Sequence, residues 1–181
     1  MRLIELQSTL AEVASGLAII NNTFNAEILL QPFSKIALFQ ANVPIDTDDD
    51  SLNTYVEEDL GAILDVKLSN HYVLLESLEL ESYDGFTGGQ TSTGRKQILN
   101  GGASNILGVI PSFALENFSV GGDDYYWLSY EANQPVFLNL NNKEPQLLRN
   151  VMIRIVNKLR VAVNVSDKFA VTLLIKDSRD E

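Results

Sequence analysis

The chain has 181 residues with no cysteine, one histidine, 24 acidic and 13 basic side chains, and a net charge of -11. That length suits a single domain, burying roughly 70% of the surface its unfolded form exposes. Zero cysteines exclude disulfides, thiolate zinc sites and cysteine nucleophiles, and the acidic balance repels phosphate backbones, so no nucleic-acid partner is expected.

At the start, Glu5, Gln7 and Glu12 interrupt the apolar residues, so no export signal is expected. No window reaches about 18 uninterrupted apolar residues, and no membrane span is expected either. Residues 1–25 are rich in Asn, Ser and Thr and only weakly periodic. They are expected as an N-terminal arm or extended segment, with Leu10, Val13, Ala14 and Leu17 sharing a helical face over residues 11–20 that Gly16 weakens. Residues 26–181 are expected as the β-domain.

Two strands are expected at residues 27–31 and 35–43, joined by a turn at Pro32 and Ser34. The second is apolar on both faces, as a central strand would be. After the acidic run at Asp46, Asp48, Asp49 and Asp50, Thr54 and Glu57 form a capping box. Val56, Leu60, Ile63 and Leu64 then follow at helical spacing, which predicts one short helix over residues 54–66. A strand is expected at residues 71–81, followed by a long irregular stretch, 83–104, rich in glycine.

The last third is a series of short alternating apolar segments at 125–130, 135–140, 147–156, 159–163 and 169–175, each bounded by Asn, Asp, Gly, Pro or Lys. Strands of that length at that spacing build sandwiches and barrels. The charge also changes along the chain. Residues 1–142 carry 5 basic and 19 acidic side chains, net -14, whereas residues 143–181 carry 8 and 5, net +3. Arg149, Arg154, Lys158, Arg160 and Lys168 are thus either the solvated face of edge strands or contacts for an acidic neighbouring subunit.

No catalytic, cofactor-binding or metal-binding residue is assigned. Gly89 and Gly94 have the glycine spacing of a phosphate loop, but Arg95, Lys96 and Gln97 follow where Lys and then Ser or Thr are needed. Asp46, Asp48, Asp50 and Glu57 fall at the carboxylate positions of a calcium loop, but Ser51 replaces the glycine of the sharp turn. That segment reads better as a solvated acidic loop. His71, the one available imidazole base, has no nucleophile motif beside it and reads as structural. Tyr125 and Trp127 share one face of their strand, Tyr126 and Tyr130 the other. Such a cluster packs a core or a subunit contact, or stacks on a sugar.

Several segments, in order, resemble small jelly-roll capsid proteins, of the penton and minor capsid type, of virophages and polinton-like viruses. The opening phrase holds Asn22 and Asn25, then Leu29, Leu30, Gln31, Pro32, Ser34, Lys35, Ile36, Ala37 and Leu38. The middle phrase is Ile106, Leu107, Gly108, Val109, Ile110 and Pro111. The closing phrase runs through Gln134, Pro135, Val136, Phe137, Leu138, Asn139 and Leu140, then residues 148–155 and 171–176. The acidic segment 46–65 and the glycine-rich stretch depart from the pattern. The resemblance implies an all-β fold, a single jelly-roll β-sandwich of about eight strands. It also implies a structural role in the virion of a double-stranded DNA virus, as a penton, minor capsid or cement protein. Such a protein works as a homo-oligomer, trimer or pentamer, docks to other capsid proteins, and is neither an enzyme nor a cofactor binder. The alternative from a different class is a carbohydrate-binding β-sandwich using Tyr125 and Trp127.

Overall fold

A computed structural model of the chain describes residues 1–45, 70–78, 80, 105–111, 114–120, 123–157 and 162–178. The expected helix over 54–66, the Asp46, Asp48, Asp50 and Glu57 set, the Gly89 to Gly94 frame, and Lys158 and Arg160 lie outside these residues. The described part is all-β, with two antiparallel sheets facing each other across one core.

In chain order the elements are β1 (Arg2–Gln7), α1 (Leu10–Ala14), β2 (Ile19–Leu30), β3 (Lys35–Ile45), β4 (His71–Leu75), β5 (Ile106–Ile110), β6 (Leu115–Val120), β7 (Asp123–Glu131), β8 (Leu138–Asn139), β9 (Gln146–Val156) and β10 (Ala170–Lys176). One sheet runs β1-β10-β3-β7-β6, with β8 added to β3, and the other runs β2-β9-β4-β5. Four antiparallel pairs are nested along the chain: β1 with β10, β2 with β9, β3 with β7, and β4 with β5.

Period-two alternation turns one face of each strand inward. Ile4 and Leu6 of β1, and Val171, Leu173 and Ile175 of β10, meet Ile153 and Ile155 of β9 and Val73 and Leu75 of β4 in the core. β10 is buried at every position from Val171 to Ile175, as befits a strand between two others.

Residues 1–25, expected as an arm or extended segment, supply β1, α1 and the first half of β2. Ile4 and Leu6 point into the core, which makes β1 an edge strand. The helical turn is shorter than the apolar spacing suggested. Thr9 and Glu12 cap its start reciprocally, and Gly16, at φ 73, ends it so that β2 begins at Ile19. The Glu12 carboxylate also accepts from Asn21 N at 2.6 Å, tying the turn to β2.

Exposed strand edges invite unwanted pairing, and β1 and β2 are edges of their respective sheets. Side chains stitch them together. The Asn22 amide accepts from Gln7 N and donates to Gln7 O, each at 2.9 Å, while Arg2 Nη1 donates to Leu29 O at 3.0 Å.

On the opposite side the sheets approach closely at Gly108 of β5. A Cβ there would lie 2.9 Å from Leu38 Cβ and 2.8 Å from its Cδ2, so only glycine lets β5 cross β3. Replacing Gly108 by Ala should cost about 1–3 kcal/mol through overpacking, read as a lower urea midpoint. Adding Leu38→Ala should recover part of that loss, whereas strict additivity of the two changes would contradict the contact.

Candidate functional site

β2 and β3 lie in different sheets, and residues 31–34 carry the chain between them. Ser34 N donates to Gln31 O at 3.2 Å, closing a turn with Pro32 at its second position. The proline fixes φ as that position needs, and the third position then takes a positive φ, which favours glycine. Here it is Phe33, at φ 59. A side chain in the left-handed region costs about 1–2 kcal/mol. The ring is 61% exposed, so core packing returns little of that cost.

A polar network holds the turn in place. Asn142 accepts from Phe33 N on its backbone oxygen at 2.8 Å and from Ser34 N on Oδ1 at 3.2 Å, and its Nδ2 donates to Gln31 O at 2.6 Å. The Ser34 hydroxyl lies 2.7 Å from Gln31 O and 3.1 Å from Asp177 Oδ1, so two acceptors share its one proton. Asp177 is itself paired with Arg2 at 3.4 Å. Ser34 and Asn142 are buried, so their part of the network is shielded from water, whereas the Arg2–Asp177 pair reaches solvent.

Besides Phe33, the exposed large apolar side chains include Met1 and Leu3 at the start of β1 and, on the other sheet, the register partners Leu29 and Leu147. Lys35 and Lys176 are register partners on β3 and β10, with Arg2 on the neighbouring strand. Proline and the flanking strands made a turn legible at Pro32, but no sequence signal marks Phe33 as the residue forced to positive φ.

A second feature is a cavity of about 350 Å³ where β5 crosses β3, lined by Leu38, Leu107, Gly108, Val109, Tyr130 and Val136 among others. Its described lining offers one polar side-chain group, the Tyr130 hydroxyl. Orienting a polar ligand takes several such groups.

The residues singled out by sequence are dispersed. His71 sits at the start of β4, 3% exposed, and its Nδ1 has no hydrogen-bond partner. Burial lowers its pKa from 6.5 to about 4, so the ring is neutral at pH 7 and a weak base. Arg149 and Arg154 are engaged within the chain, by Glu27 at 2.6 Å and by Glu76 respectively. Lys168 follows Asp167, whose carboxylate accepts from the Lys168 backbone N at 2.6 Å. Trp127 lies on the outer face of β7, opposite Pro44 and Glu116, while Tyr126 and Tyr130 pack on the core. No protein-family model, curated protein or solved structure matches the chain.

Asn142→Ala would leave Ser34 N without its side-chain acceptor and remove the amide donor to Gln31 O, at a cost of about 1–3 kcal/mol. Chemical denaturation should show that loss, and an unchanged midpoint would contradict the network's role. His71 gives a pH signature. Between pH 6.5 and about 4 the unfolded chain binds more protons than the folded one, so stability falls as pH falls across that window and is level on either side. The contribution lost is roughly 3 kcal/mol. His71→Phe should flatten the slope of unfolding free energy against pH there, and parallel slopes would contradict it.

Proposed function

We propose that the chain is a jelly-roll structural protein of a double-stranded DNA virus capsid, acting as a penton, minor capsid or cement component through self-association and docking to other capsid proteins. The observation that supports the jelly-roll part of this reading is the strand order. Counting β1, β2, β3, β4, β5, β7, β9 and β10 as first to eighth, one sheet reads first, eighth, third, sixth, and the other second, seventh, fourth, fifth. A long antiparallel ribbon rolled upon itself has this order, and an eight-stranded double sheet of two Greek keys is a jelly roll. In this reading β6 and β8 are additions, one a hairpin partner of β7 and one a short filler beside β3.

Capsid proteins share this architecture with lectins and cupins, so the fold alone does not choose among them. The resemblance to virophage and polinton-like capsid proteins favours the first. Its phrases fall on the Pro32 turn with β3, on β5, on β8, on β9 and on β10. Those segments pair across both sheets, so the likeness follows the wrap and is not confined to one hairpin.

A second reading, a carbohydrate-binding sandwich, is favoured by Trp127 on the outer face of β7. The two readings separate in solution. Multi-angle light scattering of the purified chain should give a closed oligomer, trimer or pentamer. A strict monomer at the highest soluble concentration would contradict the capsid reading, and glycan binding abolished by Trp127→Ala would replace it with the second.

A further inference from the structure

The cavity of about 350 Å³ where β5 crosses β3 draws its walls from both sheets. Leu38 and Leu138 line it from one sheet, with Tyr130 of β7 beside them, and Leu107 and Gly108 line it from the other. Leu38, Leu107 and Leu138 are buried, whereas Val136 is 56% exposed, so the cavity opens past Val136. Small-molecule sites in proteins begin at about 300 Å³, and this volume falls in their range.

The walls are not free to close on this space. Each wall strand is held to its own sheet by a backbone ladder: Ile36 of β3 is opposite Leu138 of β8, Ala41 of β3 opposite Tyr130 of β7, and Gly108 of β5 opposite Val73 of β4. At Gly108 the two sheets already touch, since a Cβ there would lie 2.9 Å from Leu38 Cβ. β5 therefore has no room to sink onto β3 and fill the cavity. A space that its surroundings cannot relax into stays open to an occupant.

The chemistry of the lining selects that occupant. Among the described residues it includes no charged side chain and one polar one, Tyr130. Waters take up about 30 Å³ each and need about two to four polar partners to be held well, which these walls do not supply. Water here is easily displaced, and an apolar group that displaces it gains affinity. A sugar or a phosphate would instead leave its own polar groups without partners. An apolar cavity of about 150 Å³ takes up benzene, so one of about 350 Å³ has space for roughly ten carbon atoms. We infer that this cavity is a binding site for a small, uncharged, hydrocarbon-rich molecule of that size, a fused pair of rings or a medium alkyl chain, which enters past Val136. The site does not depend on self-association, because one copy of the chain supplies all the walls named.

The test follows the leucine and valine methyl resonances of the full chain by NMR as naphthalene or decanol is added. Saturable shifts are expected at Leu38, Leu107, Val109, Val136 and Leu138, with a Kd below about 1 mM. Leu29 and Leu147, exposed leucines toward the opposite edge of the β5 sheet, should not move. Binding of either probe in this way supports the site, and the tighter of the two gives the ligand's shape as ring or chain. Val136→Trp narrows the mouth and should weaken binding about tenfold or more, with a melting temperature close to that of the wild type because Val136 is mostly exposed. Val136→Phe carries the same comparison should the tryptophan variant not fold. No saturable shift with either probe, shifts as large at Leu29 and Leu147, or unchanged binding in the folded Val136 variant would overturn the inference. Glucose should leave the lining methyls in place, and saturable glucose shifts there would overturn it as well.

Discussion

The structure depends on the insertion of β10 between β1 and β3. Five consecutive buried residues, Val171 to Ile175, fill the middle of the six-stranded sheet. Among the described residues β1 has no other neighbour in its sheet, so β10 is its one pairing partner there. The ladder joins the last part of the chain to its first strand, with Arg2 opposite Ile175 and Gln7 opposite Ala170. Closing so long a loop costs entropy before any contact repays it, and a fold dominated by such pairings forms slowly. The apolar alternation of β10 on its inner face, Val171, Leu173 and Ile175, is what repays it.

The same strand also governs the end of the sandwich. Asp177, one residue beyond β10, holds Arg2 of β1 on one side and the Ser34 hydroxyl on the other. The core strand, the edge strand and the strained turn thereby share one carboxylate. At its buried members, Ser34 and Asn142, the network holds the turn because each polar group left there without a partner carries a desolvation penalty. That accounts for how a phenylalanine is kept at positive φ without being packed.

Much of the sheet structure was legible in the sequence, for a physical reason. β3, β7, β9 and β10 bury one face or both, and burial writes alternation or continuous apolar runs into the chain. β2 was legible as a strand only in its second half, because Asn21, Asn22, Thr23 and Asn25 fell in the stretch read as an arm or extended segment. Asn22 is there to satisfy the backbone of Gln7, a partner fifteen positions away. β5 entered only as the middle phrase of the resemblance, and Gly108 within it is what lets β5 approach Leu38. β6 gave no alternation strong enough to see. The segment expected as a strand at 159–163 contributes a single bridge, Ala162 to Val156, among the described residues. The basic tail was read as the solvated face of edge strands or a subunit contact, and the pairing of Arg149 and Arg154 with Glu27 and Glu76, carboxylates far away in sequence, was not legible. The sign of φ at Phe33 depends on how two sheets are joined, which no local pattern records.

The central claim, that the chain is closed by its last strand, is tested most directly by native-state amide hydrogen exchange. The account predicts that the amides of Val171 to Ile175 are among the slowest in the protein and exchange only when the whole fold opens. Exchange at those positions as fast as along the β2 edge would contradict it.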